Sequence, residues 1–180
     1  AGFPVVLRAE RAGLNGDCHW QLNARCGRRI KRRCQQAAAM VAPTAAIERE
    51  LIAAGYPRDR LCFIPNSVPI PDPIEPGQRA EARAALAQTD PRLAIAGGAP
   101  LVVYVGRLLA ESKGLLDLLA AWRRVRAVLP QAGVWLVGEG PDANRLRAEV
   151  GQLDLLPSVA FAGAFDDVDD FLQAADLFVM

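Results

Sequence analysis

Two cations in the stretch Pro100–Gly114 (PLVVYVGRLLAESKG) are the residues best suited to chemistry in this chain. Arg107 follows directly on Gly106, and Lys113 stands six residues later, directly before Gly114. Arginine offers a planar fork that matches phosphate oxygens, and lysine adds a mobile point charge. A pair so spaced can neutralise most of a diphosphate, and the amides and dipole of a following helix favour the same anion. The stretch reads as a diphosphate seat at the carboxyl end of a strand, with Gly106 letting the backbone approach the ligand. The competing reading is two ordinary surface cations on a strand-to-helix loop.

Other candidates are weaker. Gly138-Glu139-Gly140-Pro141-Asp142-Ala143 fits G-x-G-x-x-A after a strand, as a dinucleotide site would. The next strand should then end in an acidic residue for a ribose, yet it ends Phe161-Ala162-Gly163, and Asp166 and Asp167 come too late. Lys113 precedes Gly114 instead of following a second glycine, so the stretch is not a Walker loop. No Asp closes an apolar strand where a magnesium ligand would stand, and neither a metal nor a cofactor is expected. His19, the single histidine, lies between Cys18 and Trp20 with no nearby carboxylate to orient it as a base. Glu111 and Glu139 could ionise near a ligand, but nothing in their context assigns a role. Cys18, Cys26 and Cys34 are spaced by eight residues, about 80° apart per step on a helix, so they do not converge on a metal. With Cys62 they are expected to be reduced thiols.

The elements that position these residues follow from periodicity. Leu101–Val105 is continuously apolar, as a buried parallel strand should be, and 134–137 and 159–162 repeat the pattern. Each strand ends at a glycine: Gly106, Gly138 and Gly163. Helices are expected at about 115–129, 142–151 and 167–174, with a last strand from Leu177. Strands alternating with helices argue for a parallel sheet, whose ligands bind beyond the strands' carboxyl ends.

Upstream, strands are expected at Pro4–Arg8, Ala38–Ala42 and Leu61–Ile64. One helix is expected over about 17–36 and another over 45–54, the latter capped by Thr44 and closed by Gly55. Prolines 65, 69, 71, 73 and 76 permit neither helix nor central strand, and the domain boundary is placed at 70–76. A further helix is expected over Gln78–Ala87.

With 180 residues, 52% hydrophobic and 23% charged, the chain is globular and long enough for parts of two domains. A net charge of +1 argues against nucleic acid as partner. The one charge cluster, Arg25, Arg28, Arg29, Lys31, Arg32 and Arg33, could meet an anionic membrane surface, although a solvated helix face explains it as well. No run approaches about 18 apolar residues and no signal peptide opens the chain, so a cytoplasmic location is expected, with the inner membrane surface as the variant that cluster allows. The first residues, AGFPVV, and the last, ADLFVM, suggest a piece of a longer polypeptide.

Taken in order, RLCFIPNSVPIP (60–71), VYVGRLLAESKGLLDLLAAW (103–122), VWLVGEGP (134–141), SVAFAGAF (158–165) and FLQAADLFVM (171–180) resemble the family-4 (group 1) glycosyltransferases. The resemblance implies the GT-B fold, an α/β architecture of two Rossmann-like parallel-sheet domains facing each other across a cleft, both incomplete here. Residues 1–70 would close the N-terminal, acceptor-side domain, and 71–180 would open the C-terminal domain that binds a nucleotide-sugar donor. By the same resemblance, Gly106, Arg107, Lys113 and Gly114 would hold the donor's diphosphate, and Gly138, Glu139 and Gly140 would form the nucleoside-side loop. Pro65 and Asn66 would form the hinge, where Ser67 replaces the family's glycine and Asn66 is expected to take the left-handed conformation. The implied activity is sugar transfer from a nucleoside-diphosphate sugar to a hydroxyl of a glycan, lipid or small-molecule acceptor, retaining configuration and needing no metal. The family's glutamate pair would fall beyond Met180, which leaves the catalytic residues unassigned and little turnover expected of this polypeptide alone. A nucleotide-sugar epimerase of the same architecture and a non-catalytic binding or scaffold domain are the alternatives.

Overall fold

The structure, a computed structural model, describes residues 3–70 and 73–180. It divides into two compact units, Ala1–Pro71 and Asp72–Met180. Pro71 lies outside the described residues, whereas Pro65, Pro69, Pro73 and Pro76 stand in exposed, non-repetitive chain.

The first unit holds a parallel sheet of β1 (Val6–Arg8), β2 (Ala39–Ala42) and β3 (Leu61–Phe63), in that order. Between β1 and β2 the single expected helix is two, α1 (Asp17–Asn23) and α2 (Gly27–Cys34). The break has a local cause. A Cβ on Gly27 would lie 1.7 Å from the Gln21 carbonyl oxygen, so α2 starts where the chain folds back onto α1. Gln21 is itself held inside the unit, because its Oε1 accepts the Tyr56 hydroxyl at 2.8 Å. Helix α3 (Ala45–Ala53) begins as its sequence dictates: Thr44 Oγ1 accepts the Ile47 amide at 3.2 Å, and Gly55 at φ +79° ends the run. Met40, Ala42, Ile47, Leu51 and Tyr56 form its core.

The second unit opens with α4 (Gln78–Thr89). It then alternates β4 (Leu101–Val105), α5 (Leu115–Val128), β5 (Gly133–Val137), α6 (Ala143–Gln152), β6 (Val159–Gly163), α7 (Asp169–Ala174) and β7 (Leu177–Val179). The four strands are parallel in the order β6-β5-β4-β7. Their apolar runs hide an alternation of two. Tyr104, Val134 and Leu136 pack with Leu115, Leu119 and Trp122 of α5 and Leu146 and Val150 of α6. Leu101, Val103, Trp135 and Val137 pack on the opposite face with α4 and α7, against Ala82, Leu86 and Phe171. Both faces are therefore covered, which is why the strands read as continuously apolar. Helix α5 presents Leu115, Leu119 and Trp122 at spacings of four and three, and Pro130 follows its end.

The order of the strands places the site. From β4 the chain steps outward through β5 to β6, then returns past α7 to lay β7 on the other side of β4. The direction of winding reverses at β4, and a doubly wound sheet opens its ligand crevice beyond the carboxyl end of such a strand.

Candidate functional site

The residues just past β4 form a loop, 106–114, laid against a second loop, 138–142, that follows β5. The two are joined by backbone hydrogen bonds. Gly106 donates to the Val137 carbonyl at 2.9 Å, Leu108 to that of Glu139 at 2.9 Å, and Asp142 to that of Leu108 at 3.3 Å. A third strand end joins them, since Gly138 donates to the Gly163 carbonyl at 2.6 Å. The three strand-end glycines thus lie on one rim.

Steric demands inside the rim bear on three of the loop glycines. A Cβ on Gly138 would stand 2.0 Å from the Gly106 carbonyl oxygen, and one on Gly140 would stand 2.3 Å from that of Leu108. At Gly106 the obstacle is the Tyr104 hydroxyl, 2.8 Å from the position a Cβ would take. Gly138 and Gly140 let the two loops touch, and Gly106 leaves room for the Tyr104 hydroxyl.

Side chains complete the joint. The Asp142 carboxylate accepts the Ala110 amide at 2.8 Å, and Arg145 pairs with Glu111 at 2.9 Å on the exposed side. Tyr104 reaches up from β4 and donates its hydroxyl to the Arg107 carbonyl at 2.9 Å. Burial raises the Tyr104 pKa above the ordinary phenol value, which keeps it a neutral donor.

Arg107 and Lys113 stand at the two ends of this loop, both exposed. Among the described residues neither makes a salt bridge; Arg79, Arg83, Arg92 and Arg145 of the same unit are paired, whereas Arg123, Arg124, Arg126 and Arg147 are not. Gly114 caps α5 in the left-handed conformation, φ +63°, so the lysine's peptide leads straight into the first turn of that helix.

The structure thus brings Gly106, Arg107, Lys113, Gly114, Gly138, Glu139 and Gly140 onto one rim of one unit. Pro65 and Asn66 belong to the other unit. There Asn66 departs from expectation: among the described residues Asp154 is the only non-glycine with positive φ, so Asn66 is not left-handed. Its side-chain oxygen instead accepts from the Arg8 guanidinium, tying the exit of β3 to the end of β1. His19 is exposed and lies beside Asn23, with 3.2 Å between His19 Nε2 and Asn23 Nδ2. Cys18, Cys26, Cys34 and Cys62 are free thiols, and burial raises the Cys18 pKa. Among the described residues no three His, Cys, Asp or Glu side chains gather as metal ligands. No helix there is long and apolar enough to cross a membrane.

Sequence reasoning missed Tyr104 and Asp142. Tyr104 is hidden in an apolar run, and its hydroxyl is the only signal that its tip has a polar partner. Asp142 precedes a helix, which suggests an N-cap; it caps nothing, and its carboxylate is spent across the loop. A concavity of about 380 Å³, lined in part by Arg92, Arg126, Trp135 and Ser158, lies at the opposite, amino ends of β5 and β6. Arg92 is taken up by Asp90 at 2.7 Å, and that end of the sheet is not where a doubly wound fold places its ligand.

Residues 99–180 match the family model described as glycosyl transferases group 1. Over 82 residues the chain is 39% identical to the lipopolysaccharide core biosynthesis glycosyltransferase LpsE of Rhizobium meliloti, spanning 46% of this chain and 23% of that protein. Anabaena Alr3699/HepE, solved in complex with UDP-glucose, superposes with a TM-score of 0.68 over 97% of this chain and 46% of its own, at 19% identity. A glycosyltransferase from Rickettsia africae ESF-5 superposes with a TM-score of 0.66 over 96% of this chain and 44% of its own, at 14% identity. The chain therefore spans less than half the length of these relatives. Their likeness assigns the fold, GT-B-like with two parallel-sheet α/β units, and the family match covers the part of the second unit from residue 99 onward, which carries the Arg107 loop.

Proposed function

We propose that the unit Asp72–Met180 is the donor side of a glycosyltransferase that takes a sugar from a nucleoside-diphosphate sugar and transfers it to an acceptor hydroxyl. One observation carries the reading: Arg107 and Lys113, without salt-bridge partners among the described residues, frame a glycine-walled loop at the carboxyl end of β4, where the winding of the sheet reverses. The match of residues 99–180 and the UDP-glucose held by the HepE relative support the same ligand class.

In this reading the two cations hold the diphosphate, and their attraction grows as the sugar–phosphate bond breaks and charge builds on the leaving group. An interaction stronger in the transition state than in the ground state lowers the barrier. Loop 138–140 flanks the nucleoside. The pair supplies the charge neutralisation that a metal supplies in other phosphate sites, so the reaction proceeds without one. Retention of anomeric configuration is part of the proposal by family likeness and is read from the anomeric proton of the product by NMR.

The test on this chain is calorimetric titration with UDP, GDP and ADP. The chain should bind at least one, and Arg107→Ala and Lys113→Ala should each weaken it about 10-fold or more, as loss of a charge-assisted contact does. In a turnover assay of the whole protein each variant should cost about 2–4 kcal/mol of transition-state stabilisation. Unchanged affinity and turnover in both variants would overturn the assignment.

A further inference from the structure

We infer that Tyr104 and Asp142 are positioning residues that hold the Arg107 loop in its ligand-ready shape from two sides, a role resting on the diphosphate reading above. The Tyr104 hydroxyl lies below the loop and donates to the Arg107 carbonyl at 2.9 Å. The same carbonyl also accepts the Leu109 amide at 2.9 Å, so two donors orient one peptide group and set the direction in which the Arg107 side chain leaves. From the other side Asp142 engages Leu108 through its amide and Ala110 through its carboxylate. Residues 107, 108 and 110 are therefore all tied down, while the cationic head groups at either end make no salt bridge among the described residues.

Neither tie does the ordinary work of its residue. Tyr104 is 1% exposed with its ring in the core, where phenylalanine would pack as well; the hydroxyl is needed only because Arg107 is above it. Gly106 is part of the same device, since any side chain there would meet that hydroxyl at 2.8 Å. Asp142 sits where a helix cap belongs, yet makes no cap hydrogen bond within α6. A loop held in its bound shape loses less freedom on binding, and the gain appears as affinity.

The experiment uses the 180-residue chain and titration with UDP, the nucleotide held by a structural relative, alongside thermal unfolding. Tyr104→Phe keeps the ring and leaves the Arg107 carbonyl its Leu109 partner, so the variant should fold and melt near the parent. Its UDP affinity should fall about 2- to 10-fold, the range of one lost hydrogen bond. Asp142→Ala should weaken UDP similarly, and Asp142→Asn, which keeps an acceptor oxygen, should restore most of the loss.

A double-mutant cycle separates positioning from general support. In an Arg107→Ala background Tyr104→Phe should change UDP affinity by less than about 1.5-fold, because the group it orients is gone. Should Tyr104→Phe bind UDP like the parent, or lose the same factor with and without Arg107, the inference fails while the diphosphate reading stands. Were Arg107→Ala and Lys113→Ala both to bind like the parent, the diphosphate reading would fail first and take this one with it.

Discussion

At the scale of single residues, the rim is set by atoms that must be absent. Gly138 at φ +133° abuts the Gly106 carbonyl oxygen, and a methyl group there would overlap backbone, which has no rotamer with which to yield. Gly138→Ala should cost about 2–4 kcal/mol in urea unfolding and weaken nucleotide binding with it. Gly151, near the end of α6, makes the control: an added Cβ meets nothing within 4 Å and its φ is not positive. Gly151→Ala should stabilise by about 0.4–1 kcal/mol, because it lowers the freedom of the unfolded chain. Equal effects from the two substitutions would remove the steric account of the loop joint.

At the scale of elements, one carboxylate fastens α4 to the sheet at the end opposite the site. Asp176 accepts the Leu101 amide at 2.8 Å, Arg83 at 2.7 Å and Arg79 at 3.1 Å, while Arg83 also reaches the carbonyls of Ala99 at 3.1 Å and Ala174 at 2.8 Å. Desolvation works to raise the Asp176 pKa, but the Leu101 amide and the two guanidinium groups outweigh it, and the carboxyl sits below its ordinary 3.8. A depressed folded-state pKa means that the unfolded chain takes up the proton first. The contribution of this strap is therefore complete above about pH 4 and is lost as pH falls through the lower folded value. Asp176→Asn should lower the melting temperature at pH 7 and flatten its acid dependence. An unchanged acid limb would show that the strap contributes nothing. None of this could be read from the sequence, because Arg83 and Asp176 lie 93 residues apart. The β4 and α5 boundaries were legible: an apolar run, a glycine and a clean 115/119/122 stripe are all local. The single helix over 17–36 was misread because its break depends on Gly27 meeting the Gln21 carbonyl, a contact created by packing.

At the scale of the whole molecule, the two units hold separate cores and separate titrating groups. The first contains Tyr56, 4% exposed and bonded to Gln21, whose phenol is pushed up to about 12, chiefly by burial. A raised pKa stabilises the fold below the unfolded value, near 10, and the benefit is lost as pH climbs from 10 toward 12. Calorimetry should then resolve two transitions, with acid weakening that of the second unit through Asp176, and alkali weakening both, the first through Tyr56 and the second through the buried Tyr104. Tyr56→Phe should reduce the alkaline loss of the first unit and leave the acid limb of the second unchanged. One transition responding alike at both extremes would contradict this division of the chain.

The sequence by itself determined the kind of sheet, the placing of Gly106, Arg107, Lys113 and Gly114 at a strand end, and the ordered resemblance to group 1 glycosyltransferases. All of these depend on residue type and on spacing along a single strand or helix, where chain connectivity enforces the geometry. The tertiary structure alone decided that β7 returns to the far side of β4, which puts the Arg107 loop at the point where the winding reverses. It alone showed that Gly138 and Gly140 serve loop-to-loop contact, and that Tyr104 and Asp142 hydrogen-bond to the loop from below and beside. The reason is physical: strand order and hydrogen bonds between distant loops are settled by which surfaces bury one another, and no local pattern records that choice.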